Sequence, residues 1–164
     1  MLGKKLGLAL AATMLLAGSQ AFAGSATSQF GVSATVVSDC SISSAPIAFG
    51  SYDPLNASPV AAQGSVSVKC SAAAPGVTIA LDNGGHSANA PSGSPRAMTN
   101  GSSFLGYDIM QPDNATEWGS GAGQTLAVTA TGITQTFTSN GKVPAQQNVT
   151  VGAYSDTVTA TVNF

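Results

Sequence analysis

Apolar and polar residues alternate along most of this chain. Phe30, Val32, Ala34 and Val36 share one face, with Gly31, Ser33 and Thr35 on the other. Val66, Val68 and Cys70 alternate with Ser65, Ser67 and Lys69, and Val77, Ile79 and Leu81 alternate with Thr78 and Ala80. Leu105, Tyr107 and Ile109 follow, then Leu126 and Val128, then Ile133 with Phe137 further on. Val158, Ala160, Val162 and Phe164 close the series, alternating with Thr159, Thr161 and Asn163. A period of two with β-branched enrichment predicts half-buried antiparallel strands. No stretch of ten or more residues after the leader keeps a 3.6-residue spacing free of Gly, Pro or Ser/Thr clusters, so no helix is predicted.

Turn-formers separate these runs: Asp53-Pro54, Asp82 to Gly85, Pro91 to Pro95, Asn100-Gly101, Gly119 to Gly123 and Asn140-Gly141. Short strands and turns in this rhythm predict an all-β sandwich with Greek-key connections. Residues 83–103, rich in Ser, Gly, Asn and Pro, read as a surface loop. The two ends of the pattern are unusual. The last alternating run stops with the chain, with no strand after it. A further run from about Ala26 to Val37 would span roughly 40 Å as a strand, long for a domain of this size. One end is expected to lack a strand and the other to carry a spare.

The first residues read as an export leader. Lys4 and Lys5 precede an apolar run from Leu6 to Ala17, and Ala21-Phe22-Ala23 supplies a small-x-small cleavage pattern. The expected leader is residues 1–23. Its apolar run falls short of the ~20 residues that span a bilayer. The remainder fits one domain with a core of its own.

Removing the leader leaves Lys69, Arg96 and Lys142 as the basic residues, against 7 acidic ones. That balance argues against nucleic acid as a partner, because phosphate binding rests on clustered Lys and Arg. Only 7% of the chain is charged, against ~25% in an average domain. A subunit packed in a polymer tolerates such a surface better than a solitary monomer does. The 2 cysteines, Cys40 and Cys70, are an even number in a chain expected to enter an oxidising compartment, so one disulfide is predicted.

Candidate chemistry is sparse. His86 follows Gly84-Gly85 and reads as a solvated loop residue, without the strand–turn–helix setting of a catalytic serine. Asp39, Asp53, Asp82, Asp108, Asp113, Glu117 and Asp156 are scattered, lacking the spacing of a calcium loop. Asp53, Asp82 and Asp113 flank turns and are expected to cap them. Trp118 beside a turn reads as a packing residue. No catalytic residue, metal ligand or cofactor is expected.

Several segments together carry a resemblance to a family. Phe30 to Cys40, Ile47 to Asp53, Val66 to Cys70, Leu81 to Gly85, Arg96 to Met98, Leu105 to Tyr107, Trp118-Gly119, Gly141 to Gln146, Gly152 to Val158 and Val162 to Phe164 resemble, in order, the spore coat U domains. The resemblance implies an incomplete immunoglobulin-like β-sandwich, exported by the archaic chaperone–usher route as a pilus subunit and completed by a donor strand from a neighbouring subunit. It implies a donor extension over residues 24–37 ahead of a domain over residues 38–164. Phe30, Val32, Ala34 and Val36 would form the inserted face. Val158, Ala160, Val162 and Phe164 would form the strand that pairs with the donor or with a periplasmic chaperone. The Cys40–Cys70 bridge would join the first strand to the next. Implied partners are identical or related pilins, the chaperone and an outer-membrane usher, with the cell surface as destination. Adhesion and biofilm formation would be the outcome. Two other readings stand beside it: a secreted, monomeric, lectin-like sandwich that buries residues 26–36 in its own sheet, and a spore or cell coat protein.

Overall fold

The structure is a computed structural model that describes residues 23–71, 74 and 76–164. The expected leader lies, apart from Ala23, outside the described residues. Two units are distinguished, Met1–Thr35 and Val36–Phe164. In the first, residues 23–35 form no strand or helix. The strand expected from about Ala26 to Val37 is therefore not formed: residues 23–39 carry no regular element. A lone β-segment has no ladder to satisfy its amides, which explains why alternation alone does not make it a strand.

The described residues of the second unit are all-β, with one 3-10 turn at Ser87–Asn89. Its strands are β1 (Cys40–Ala45), β2 (Val60–Cys70), β3 (Val77–Leu81), β4 (Arg96–Thr99), β5 (Phe104–Met110), β6 (Leu126–Val128), β7 (Gln135–Val143) and β8 (Ala160–Asn163). They form a five-stranded sheet ordered β1-β2-β7-β5-β4 and a three-stranded sheet ordered β6-β3-β8. Every named pairing is antiparallel. The alternating residues read from the sequence make the core. Val66 and Val68 of β2, Val77, Ile79 and Leu81 of β3, and Leu105, Tyr107 and Ile109 of β5 are all buried. Each such apolar side chain contributes roughly 1.5–3 kcal/mol when removed from water.

Two fully buried polar side chains tie this core together. The Trp118 indole N–H donates to the Ile79 carbonyl at 3.0 Å. Arg96 donates from Nε to the Asp82 carbonyl at 2.9 Å and from Nη2 to the Trp118 carbonyl at 2.7 Å. The guanidinium thus joins β4 of the larger sheet to the end of β3 in the smaller one. Burial lowers its pKa from the usual arginine value.

Several expectations are corrected. Asn140-Gly141 is not a turn but lies inside β7, paired with Gln63 and Ala62. The Asn140 amide accepts from Gln63 at 2.9 Å and donates to the Gln111 carbonyl at 2.8 Å, so it is consumed by the ladder instead of a bend. Residues 83–103 are not wholly a surface loop, because they include β4 with Arg96 and Ala97 fully buried. Ile133 lies outside β7 and is exposed. The closing strand is shorter than its alternation suggests, with Val158 before β8 and Phe164 after it. Asn100-Gly101 does turn, joining β4 to β5, and the Asn100 side chain accepts from the Ser102 and Ser103 amides at 3.0 and 2.9 Å. Gly101 there has φ +93°, a conformation that favours glycine.

Candidate functional site: an open groove along the sandwich

Among the described residues β8 is paired only with β3, and β1 only with β2, so each sheet ends in a strand with a free edge. Beside these edges the sandwich is open. Residues 46–50, which continue from β1, and residues 149–158, which lead into β8, line two adjoining cavities of about 400 and 600 Å³. Their walls include Val66, Leu81 and Ile109 in the smaller cavity and Leu105 and Val143 in the larger, all core residues. A completed sandwich covers such residues with another strand. Here those core residues are themselves buried and form the floor, and the partly buried Ile47, Phe49, Met98, Tyr154 and Val158 are what a groove bounded by two segments leaves open.

The first wall is seated by two glycines. A Cβ on Gly64 would meet the Ala45 carbonyl oxygen at 2.7 Å and Ile47 Cγ1 at 2.8 Å. A Cβ on Gly141 would meet Ile47 Cγ2 at 2.7 Å and Phe49 Cζ at 2.8 Å. The bare backbones of β2 and β7 thus let Ile47 and Phe49 settle onto the sheet. Phe49 then stands edge-on to Tyr107, with ring centroids 6.1 Å apart and planes at 62°. That arrangement suits the aromatic quadrupoles.

The second wall crosses from one sheet to the other. Ser155 and Thr99 exchange backbone hydrogen bonds at 3.0 and 3.1 Å, which fixes the segment to β4. Asp156, whose side chain is 2% exposed, accepts from the Tyr107 hydroxyl at 2.7 Å and the Gly85 amide at 2.9 Å. Its Oδ1 also lies 3.1 Å from His86 Nδ1. Burial, and then the hydrogen bond to this carboxylate, push the Tyr107 hydroxyl far above the usual tyrosine range, so it serves as a neutral donor. Farther on, Asp82 Oδ1 accepts from the Thr159 amide at 2.9 Å. Between these anchors Tyr154, Asp156, Val158, Ala160 and Val162 alternate as half-buried positions with exposed ones between. The inward rhythm therefore runs well beyond the four residues of β8.

The residues singled out from the sequence fall as follows. Cys40 and Cys70 form a disulfide between directly opposed positions of β1 and β2. Val158 and Ala160 line the smaller cavity. Val162 packs against the core from β8, whereas Phe164 is exposed beyond it. Phe30, Val32 and Val36 are 87%, 85% and 91% exposed, and Ala34 is exposed as well. Asp53, Asp82 and Asp113 accept from the Leu55, Gly84 and Ala115 amides, each within its own turn. His86 is not simply a solvated loop residue, since it belongs to the Asp156 cluster. Sequence reasoning did not single out Ile47, Phe49, Met98, Tyr154 or Asp156 as groove residues. Only the Ile47–Phe49 alternation offered a local signal for any of them.

Chemically, this is an apolar trough flanked by strand edges, a place for an extended segment that supplies alternate side chains and main-chain hydrogen bonds. Among the described residues no group of three or more His, Cys, Asp or Glu is gathered as for a metal ion.

The class so defined is an immunoglobulin-like sandwich left open along one side. The profile of the Spore Coat Protein U domain matches residues 26–161, and the chain belongs to that family. Protein U of Myxococcus xanthus is 34% identical over 171 residues, which covers 94% of this chain and 93% of that protein. Among solved structures, the fold is similar to a chain in the CsuC–CsuE chaperone–tip adhesion subunit pre-assembly complex. That complex comes from the archaic chaperone–usher Csu pili of Acinetobacter baumannii. The TM-score is 0.58 at 29% identity, over 79% of this chain. The present chain spans 40% of the length of that solved chain.

Proposed function

We propose that this protein is a structural subunit of a thin surface pilus that polymerises by strand donation. The observation that carries the reading is the open groove, where the apolar Ile47, Phe49, Met98, Tyr154 and Val158 stay only partly buried over a floor of Val66, Leu81 and Ile109. Residues 24–37 of one subunit serve as donor and fill the groove of the next, with Phe30, Val32, Ala34 and Val36 facing inward. The domain proper then comprises residues 38–164. Val158, Ala160 and Val162 flank the inserted strand, with Phe164 at its far end. Burying Phe30, Val32 and Val36 contributes roughly 1.5–3 kcal/mol each. Ladder hydrogen bonds add about 0.5–1.5 kcal/mol apiece. The cost of ordering a free tail opposes this, but an empty groove leaves partly buried apolar side chains and a strand edge in water.

In this reading a periplasmic chaperone covers the groove before assembly and an outer-membrane usher releases the fibre to the surface, where it supports adhesion and biofilm formation. The similarity to a subunit solved in a chaperone complex supports this route. No bond is made or broken, so no enzymatic step enters the function. The spore coat reading draws on the family and on Protein U, and the same groove would serve a coat polymer. A lectin-like monomer would bury residues 26–36 in its own sheet as a strand, whereas residues 23–39 carry no regular element. Replacing Phe30 and Val32 by Asp in the full chain is expected to abolish the detergent-resistant ladder of multimers formed when chaperone and usher are co-expressed. An unchanged ladder would overturn the proposal.

A further inference from the structure

The single histidine of the chain is paired with a carboxylate that is almost wholly buried. His86 Nδ1 lies 3.1 Å from Asp156 Oδ1, with side-chain exposures of 37% and 2%. The loop before His86 is shaped to this carboxylate. Gly84 has φ +73°, and a Cβ there would run into the Asp156 carboxylate, so glycine alone fits. The Gly85 amide donates to Oδ1 at 2.9 Å, and the Tyr107 hydroxyl donates to Oδ2 at 2.7 Å. The imidazole packs tilted against the Phe104 ring, with centroids 6.2 Å apart.

Neutral donors satisfy the oxygens of Asp156 but leave its charge without a counter-ion, and burying an unbalanced charge is costly. Among the described residues, His86 is the one side chain capable of positive charge within 4.0 Å of it. The other ionisable groups packed around the pair are engaged elsewhere. Asp82, at the end of β3, accepts from the Gly84 and Thr159 amides. Arg96 of β4 donates to the Asp82 and Trp118 carbonyls, and its Nη1 lies 3.9 Å from Glu117 Oε1. Tyr107 of β5 is a neutral donor. Histidine is the side chain that ordinarily changes charge between about pH 5 and 8.

We propose that His86 and Asp156 form an acid-tightened latch. In mild acid His86 gains a proton and becomes the counter-ion of the buried carboxylate. The segment leading into β8 is then clamped to the Gly84-Gly85 loop and, through Tyr107, to β5. As pH rises the proton leaves, and neutral hydrogen bonds alone hold the segment. The added stabilisation is present in acid and lost as pH rises. The segment that borders β8 is thus firmer in acidic surroundings than in neutral ones.

The test compares the full exported chain, held dilute, with its His86→Gln variant. Amide hydrogen exchange is followed over residues 153–159 at about pH 5.5 and about pH 8, near the two ends of the range in which histidine changes charge. Intrinsic exchange rates and the titration of Asp108 are common to both chains, so the ratio between them is what is read. At the lower pH the native chain is expected to exchange roughly threefold more slowly than the variant, the scale of a part-exposed ion pair. At the higher pH the two should exchange nearly alike. In an Asp156→Asn background, His86→Gln is expected to have the same effect at both pH values. A ratio in the native background that does not change with pH would overturn the latch. A pH-dependent ratio that persists with Asp156→Asn would overturn it too, because the proton's partner would then lie elsewhere. If Asp156→Asn does not fold, the native chain and His86→Gln decide the matter by themselves.

Discussion

Ile47 lies over Gly141, its Cγ2 methyl 2.7 Å from where a Cβ on that glycine would stand. Glycine in a strand interior ordinarily weakens the strand, and Ala would be preferred there on backbone entropy alone. The close approach reverses that preference. Gly141→Ala forces Ile47 and Phe49 off the sheet, and with them the groove wall that continues from β1. The expected cost is about 1–3 kcal/mol, typical of overpacking, read as a lower urea midpoint. A midpoint that stays or rises would show that the wall is not seated on the glycine.

The Asp156 carboxylate is a second point of control, because it ties the other wall to both β5 and the Gly84-Gly85 loop. Asp156→Ala leaves the buried Tyr107 hydroxyl without its partner, at a cost of about 1–3 kcal/mol. Tyr107→Phe in the Asp156→Ala background should add much less than it does in the native chain. A double-mutant cycle measures this coupling. Strict additivity of the two substitutions would contradict a direct Tyr107–Asp156 link.

Acid dependence should expose Asp108. Burial first, and then the negative charge of Glu117, raise its carboxyl above the usual carboxylate range, and its Oδ1 is buried with no hydrogen-bond partner. The folded protein therefore binds this proton more tightly than the unfolded chain. The contribution of Asp108 to stability falls as pH rises from the ordinary value of 3.8 through the raised one, and the charged form is a liability at neutral pH. Asp108→Asn is expected to raise the urea midpoint at pH 7, with the gain fading near pH 3. Asp82 and Asp113 act in the opposite sense. Burial works against Asp82, but its hydrogen bonds outweigh it, and hydrogen bonds with Thr116 lead the lowering at Asp113. Their stabilisation is lost as pH drops through their folded values. A gain for Asp108→Asn that is larger at pH 3 than at pH 7 would contradict the assignment.

Much of the sandwich was legible because burial in it is local and periodic. Val77, Ile79 and Leu81 alternate in sequence and are buried in β3 as alternation requires. Leu105, Tyr107 and Ile109 do the same in β5. What escaped notice depends on contacts between distant segments. Asn140-Gly141 has turn composition, yet pairing with β2 and β5 on either side draws it into a strand. Arg96 sits in a Ser- and Pro-rich stretch that looks solvent-borne, and its burial rests on the carbonyls of Asp82 and Trp118 and on Glu117, whose Oε1 lies 3.9 Å from Nη1. Asp156 looked like one more scattered acid, because Tyr107 lies 49 residues away in sequence. The groove itself is a relation between Ile47, Met98 and Tyr154, and no window of sequence contains all three.

Thermal melting of a chain that starts at Asp39, with and without a peptide of residues 24–37, tests strand donation most directly. The native peptide at a one-to-one ratio should raise the melting temperature, and a peptide with Phe30 and Val32 replaced by Asp should not. A truncated chain that is already stable and indifferent to the native peptide would contradict the account, and would mean that the sandwich is complete without a neighbour.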